Sequence, residues 1–176
     1  MCEDCRCEDC KKEPYPSTCW PGDQDFLDGA VELRVPLSTA LTARWDADVR
    51  DVNGVPPNSI ISVQDDFQVR VRVELTGDLW SCICGNWCFD FGFTAIGAGT
   101  NFNLSTLLPA GALDISDWEG CKTRCIEKTV TVPAGTIPGD RCGTLYEVGA
   151  RFAFFCCEGT RPILVGYESK CQIEFY

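Results

Sequence analysis

The stretch Phe67–Leu75, FQVRVRVEL, decides the fold class, because apolar and polar residues alternate in it without exception. Apolar side chains stand at every odd position and polar or charged side chains at every even one. Successive residues of a β-strand point to opposite faces of the sheet, so this alternation predicts a strand with one face buried. No window of the chain shows the spacing of three and four that an amphipathic helix requires.

A second alternation, Trp87–Phe93, places four aromatic residues on one face. The preceding pair, Gly85 and Asn86, is typical of a two-residue hairpin turn, and only Ser116–Glu119 has the character of a single helical turn. Further strands are predicted at Val31–Val35, Thr42–Arg50, Ile60–Val63, Asn101–Leu104, Ile126–Val132, Leu145–Cys156, Ile163–Tyr167 and Gln172–Tyr176. We therefore predict an all-β protein with very little helix, a single antiparallel β-sandwich with jelly-roll or immunoglobulin-like connections.

The N-terminal segment differs in kind from the rest of the 176-residue chain, whose length fits one domain. Residues 1–28 hold five cysteines, eight acidic and three basic residues, and the tetrapeptide CEDC occurs twice, at Cys2–Cys5 and Cys7–Cys10. We predict an extended, acidic, cysteine-rich arm over residues 1–28, followed by a β-sandwich domain over residues 29–176.

Composition excludes several classes of function. The chain has no histidine, which removes the usual general base and the commonest metal ligand, so we predict that it is not an enzyme and has no cofactor. Its net charge of -11 repels the phosphate backbone of nucleic acid. No apolar run approaches the length of a membrane-spanning helix, so membrane insertion is not expected either.

The arm cysteines allow two interpretations. The first is disulfide bonding, within the arm or between subunits, by Cys2, Cys5, Cys7, Cys10 and Cys19. The alternative is a thiolate cradle for zinc or copper made by the first four of these. A single residue separates the two CxxC pairs, whereas structural zinc sites usually separate them by a dozen or more. The neighbouring acidic residues also oppose thiolate formation, because they raise the thiol pKa. We therefore favour the disulfide interpretation.

The cysteines of the body differ in their expected surroundings. A turn at Gly85-Asn86 would put Cys82 and Cys84 on the aromatic side of the hairpin and Cys88 on the other, too far apart to pair with one another. Lone cysteines of this hairpin could also be small buried apolar residues. The disulfide candidates in the body are Cys88, Cys121, Cys125, Cys142, Cys156, Cys157 and Cys171.

Two pairs among these candidates have a particular arrangement. Cys121 and Cys125 enclose two positive charges, which favours either a reactive thiol pair or a loop disulfide. Cys156 and Cys157 are consecutive, so on a strand one would face the core and the other the surface.

The number of cysteines in each segment limits how they can pair. The arm has five cysteines and the body nine, both odd numbers, so complete oxidation requires at least one bond between arm and body. That bond could lie within one chain or between chains, because an extended arm of about 20 residues reaches on the order of 60 Å.

The layout of MCEDCRCEDC ahead of a β-rich domain resembles the subunits of endospore appendage fibres. The resemblance implies a jelly-roll domain with a cysteine-bearing N-terminal connector, made without a signal peptide and oxidised after release. We accordingly predict a structural subunit that assembles with itself, head to tail, into an extracellular or surface filament. No secretory signal is recognisable, so a cytoplasmic location remains the alternative. The competing hypothesis for function is a metal-binding protein with the arm as its zinc or copper site.

Overall fold

The computed structural model describes residues 19–20, 29–33, 40–53, 60–138, 143–156 and 161–176. Helix is confined there to one turn, α1 (Leu104–Leu107), and a short 3-10 segment at Trp80–Cys82. The strands are β1 (Ala30–Leu33), β2 (Thr42–Arg50), β3 (Ile60–Ile61), β4 (Phe67–Thr76), β5 (Cys84–Ile96), β6 (Phe102–Asn103), β7 (Ile115–Glu119), β8 (Cys125–Val132), β9 (Thr144–Cys156) and β10 (Leu164–Phe175). The prediction of an all-β sandwich is confirmed.

The strands form two sheets. In the seven-stranded sheet the long strands β10, β9 and β5 are neighbours, and each outer side is completed by two short strands. β1 and β3 pair with β10, while β6 and β7 pair with β5. The other sheet has three strands, with β4 between β2 and β8. The pairs are antiparallel apart from β3 with β10.

Strand β4 confirms the alternation that predicted it. Its odd residues from Phe67 to Leu75 are buried, with at most 2% of their surface exposed, and its even residues point away from the core. β2 matches its predicted bounds, Thr42–Arg50, and pairs with β4 along its whole length.

Aromatic side chains fill the space between the sheets. Trp45 on β2 meets Phe152 on β9 edge to face, with ring centroids 5.0 Å apart. Phe67 on β4 packs similarly on Phe175 at the end of β10, at 5.4 Å. Edge-to-face and tilted contacts suit the charge distribution of aromatic rings, so these pairs add stability beyond the area that they bury.

The predicted hairpin at Gly85-Asn86 is wrong. The chain runs straight through both residues as part of β5, which pairs with β9 from Gly85 to Ile96. Glycine is needed at position 85 for close approach rather than for a turn, because a Cβ there would overlap the carbonyl oxygen of Phe155 on β9. Asn86 lies where the pairing of β5 with β7 shifts register, and its side-chain oxygen accepts a hydrogen bond from the backbone N–H of Asp117.

Other boundaries also differ from the sequence prediction, and β3, for example, ends at Ile61 rather than Val63. Ser116–Glu119 is part of strand β7 rather than a helical turn, because Trp118 is buried edge to face against Trp87. The two strands predicted at the C-terminus are one strand, β10, with a register shift between Ser169 and Cys171. The strand predicted at Asn101–Leu104 ends at Asn103, and α1 begins at Leu104.

Candidate functional site

The outward side of the three-stranded sheet carries a ladder of paired charges, which we call the charged face. It consists of Arg44, Asp46, Asp48, Arg50, Gln68, Arg70, Arg72, Glu74, Cys125, Glu127, Thr129 and Thr131. The register places Asp46 opposite Arg72 and Arg72 opposite Glu127, so opposite charges meet across the strands. Cross-strand pairs of this kind stabilise a sheet, and here they also neutralise its outer surface.

One ion pair of the charged face is buried. The Nη2 atom of Arg72 lies 2.7 Å from Oδ2 of Asp46, and the two side chains are only 3% and 4% exposed. Glu74 is also buried and lies 3.4 Å from the guanidinium of Arg124. Charged residues on the outward side of a sheet are normally solvated, so their burial indicates that another part of the molecule covers this side.

Asp48 is the centre of a second group of charges. Arg50 donates a hydrogen bond to one of its carboxylate oxygens at 2.9 Å, and Arg70 donates to the other at 2.8 Å. Burial by itself raises the pKa of Asp48, but the hydrogen bonds from the two arginines outweigh it, so the pKa lies below its usual value. Asp48 is therefore held in its charged form.

Cys19 and Trp20, which we call the arm root, lie on the charged face. The indole ring of Trp20 stands over the guanidinium of Arg72, with 5.5 Å between the ring centroid and Cζ. Its Nε1 atom donates a hydrogen bond to Oε2 of Glu127 at 3.2 Å. A cation–π contact of this kind stabilises a desolvated arginine, and the tryptophan also shields the ion pair beneath it.

A disulfide joins Cys19 to Cys125, at the start of β8, with a Cα–Cα distance of 5.5 Å. The bond links residues 106 positions apart and connects the segment predicted as an arm to the segment predicted as a body. Cys19 and Cys125 were both disulfide candidates, and the structure brings them together. The suggested loop disulfide between Cys121 and Cys125 is wrong, because Cys125 is bonded to Cys19 instead.

The cysteines near the start of β5 depart from the hairpin expectation. Cys82 and Cys84 are both disulfide-bonded, although neither was among our candidates. With β5 straight, Cys84 shares the outward face with Cys88 rather than the aromatic side. Cys88, which we took as a disulfide candidate, is a free thiol, and its pKa is raised by burial and by the carboxylate of Asp114.

The remaining body candidates are spread over the seven-stranded sheet. Cys121 donates a hydrogen bond to Oε2 of Glu119 at 3.8 Å. Cys156 is half-buried at the end of β9, and Cys171 is exposed next to the register shift of β10. Cys142 and Cys157 lie outside the described residues, so the predicted opposition of Cys156 and Cys157 stays a prediction.

The proposed metal cradle also lies outside the described residues, since it consists of Cys2, Cys5, Cys7 and Cys10. Within the residues that the structure covers, no cluster of three or more metal-ligating side chains occurs, and no helix is long and apolar enough to cross a membrane.

Sequence reasoning missed the charged face and the role of Trp20. The even positions of β4 and β2 carried the signal, because both strands place charges on their polar side. The register between the strands determines which charges lie opposite one another, and the sequence does not give this register. Trp20 stands directly after a cysteine, and nothing in the sequence indicates that it contacts Arg72. No protein-family model matches this chain, and no curated protein shows significant similarity to it.

Proposed function

We propose that the protein is a structural subunit that assembles with copies of itself, head to tail, through disulfides made by its N-terminal segment. The observation that carries this proposal is the Cys19–Cys125 disulfide, which fixes the arm root on the charged face. Eighteen residues precede Cys19, and four of them are cysteines. Cys19 anchors the segment on its own domain, and we assign the bonds between copies to these four cysteines.

The chemistry of the charged face supports a structural role. Its carboxylates are engaged by arginines, as in the pairs Asp46–Arg72 and Asp48–Arg70. General acid–base catalysis needs a group that exchanges protons near neutral pH, whereas the arginines beside Asp48 hold the pKa of its carboxyl group below the usual value. Paired charges of this kind stabilise a sheet surface, as the proposed structural role requires.

The oxidation state of the chain supports assembly outside a reducing compartment. Cys19, Cys82, Cys84 and Cys125 are all disulfide-bonded. Disulfides persist in oxidising surroundings such as an extracellular or surface location, and covalent links between subunits would make a filament resistant to heat and denaturant.

The proposal is tested by electrophoresis of the full chain with and without reductant. We expect a ladder of covalent multimers that collapses to one band on reduction. A variant with Cys2, Cys5, Cys7 and Cys10 all replaced by serine should lose the ladder, while a Cys171→Ser control should keep it. Metal analysis of the same material distinguishes the alternative hypothesis. A stoichiometric zinc or copper ion in a chain without a ladder would overturn the structural proposal.

A further inference from the structure

A groove crosses the outward side of the seven-stranded sheet, on the opposite face of the sandwich from the charged face. Its volume is about 620 Å³. Its floor is formed by three residues that lie side by side on paired strands. Ala153 on β9 lies between Cys88 on β5 and Val165 on β10. These side chains are small, so the surface is concave there, with Phe155 and Tyr167 also lining the groove. Tyr167 is 65% exposed, which leaves an aromatic ring available to a ligand.

The groove carries an excess of negative charge. Asp90 is neutralised by Arg151, whose Nη2 atom lies 2.9 Å from its carboxylate. Asp114 and Glu32 also line the groove, and among the described residues no lysine or arginine forms an ion pair with either. An occupant with positive charge beside an apolar or aromatic group would therefore complement this surface.

The groove also contains a thiol in a protected state. Cys88 is a free, half-buried cysteine on its floor. Burial raises the pKa of this thiol, and the carboxylate of Asp114 raises it further by its charge and its hydrogen bond. At neutral pH the group is a thiol rather than a reactive thiolate, so it resists exchange until the charge beside it is compensated.

We propose that this groove receives the segment Cys10–Lys12 of a second copy of the chain and that Cys88 forms a disulfide with Cys10 of that copy. This inference rests on the proposed function and names the surface through which the copies are linked. The sequence CKKEPYP places two consecutive lysines directly after Cys10, and Tyr15 between two prolines follows. Asp9 and Glu13 flank this segment, so its positive charge is confined to Lys11 and Lys12. These two lysines and Tyr15 are the cations and the aromatic group that would complement the groove.

The positions of the arm root and the groove favour a neighbouring copy as the source of the segment that enters the groove. The arm root is fixed on the outward side of the three-stranded sheet, and the groove lies on the outward side of the other sheet. To reach its own groove, the segment would have to pass around the edge of the sandwich. When the charged face of one copy stacks on the groove side of the next, the arm root of the first copy lies next to the groove of the second. A contact between two different faces is heterologous, and its repetition builds an open filament rather than a closed dimer.

The covalent step requires an oxidant, which we take to be a small-molecule disulfide such as oxidised glutathione. Cys10 first exchanges with it, forming a mixed disulfide and releasing one small thiol. The Cys88 thiolate then attacks the Cys10 sulfur, and the second small thiol leaves. Overall, two protein thiols lose two electrons and two protons, and one small disulfide becomes two thiols. The lysine ammonium beside Asp114 lowers the pKa of Cys88 on docking, so binding itself activates the thiol.

The test uses the full chain, reduced mildly and reoxidised with oxidised glutathione, from an equal mixture of unlabelled and 15N-labelled protein. Peptide mapping without reduction is expected to find Cys10 linked to Cys88 in peptides that combine one light and one heavy partner. Lys11→Gln/Lys12→Gln should slow the formation of this link several-fold, whereas the matched control Lys122→Gln, on the surface away from the groove, should not.

Two outcomes would overturn the inference, and they are distinguishable from failure of the proposed function. If the covalent ladder forms unchanged in Cys88→Ser, the proposed structural function is still supported. The groove would then have no part in linking the copies. A Cys10–Cys88 link found only within single chains would exclude the second copy as occupant. A chain that stays monomeric throughout reoxidation would overturn both proposals together.

Discussion

Asp46 and Arg72 form an ion pair that is almost completely buried beneath Trp20. Taking two charges out of water is costly, and removing one partner leaves the other uncompensated. We predict that Asp46→Ala lowers the free energy of unfolding by about 3–5 kcal/mol, measured by urea denaturation. The exposed pair Lys122–Glu119 provides the control, because Lys122→Ala should leave the free energy of unfolding nearly unchanged. Equal costs for both substitutions would mean that Asp46 and Arg72 are solvated.

The Cys88 thiol provides a prediction on pH dependence. Because burial and Asp114 raise its pKa, less thiolate is present at a given pH than for an ordinary cysteine, and alkylation should be slow at pH 8. Asp114→Asn removes the charge and should move the pH profile of alkylation to lower pH, with a faster rate at pH 8. The rate is measured for the Cys88 peptide by mass spectrometry. Asp117→Asn, at an exposed site on β7, is the control, and an equal shift in it would contradict the assignment to Asp114.

At the scale of single elements, β4 tests the assignment of faces. Val71 is 2% exposed in the centre of this strand, so Val71→Asp buries an unpaired charge and should cost about 4 kcal/mol or more. Gln68→Asp, on the outward side next to Arg50, should cost less than about 1 kcal/mol. Urea denaturation measures both, and circular dichroism shows whether the Val71 variant folds at all. Similar costs would mean that the strand faces were assigned wrongly.

The Cys19–Cys125 disulfide ties the arm root to β8. Closing a segment of 106 residues restricts the unfolded chain, and the loop-entropy relation gives a stabilisation of about 4–5 kcal/mol. We predict that Cys19→Ser/Cys125→Ser lowers the free energy of unfolding by up to this amount. Trp20 would also leave Arg72, so its indole should become accessible to a fluorescence quencher. Cys171→Ser is the matched control, and a double variant as stable as the control would contradict the role of the bond.

The elements also show how far sequence patterns predict this fold. Strands β2 and β4 were predictable because each has one buried face and alternates with period two. The hairpin prediction at Gly85-Asn86 was wrong. Glycine is favoured in turns and also where two backbones come close together, as Gly85 and Phe155 do, and the sequence does not distinguish the two cases. Strand β7 was missed because burial of Trp118 decides its conformation. The Cys19–Cys125 pair could not be predicted, since it depends on which strand edge lies next to the arm root.

At the scale of the whole molecule, the sandwich presents two different outward faces. One is neutralised by internal ion pairs and holds the arm root, and the other has a groove with uncompensated carboxylates. The chain as a whole carries a net charge of -11, which opposes association of bare domains. In the assembly that we propose, specific links made by the N-terminal segment therefore hold the copies together, rather than general attraction between their surfaces.

The size of the protein without residues 1–18, measured by light scattering under native, oxidising conditions, tests the proposed self-assembly most directly. The deletion removes Cys2, Cys5, Cys7 and Cys10 and keeps the Cys19–Cys125 bond. We predict that the truncated chain retains its β-sheet circular dichroism spectrum and is monomeric, while the full chain forms large, reductant-sensitive assemblies. Truncated protein that assembles to the same size as the full chain would contradict this prediction.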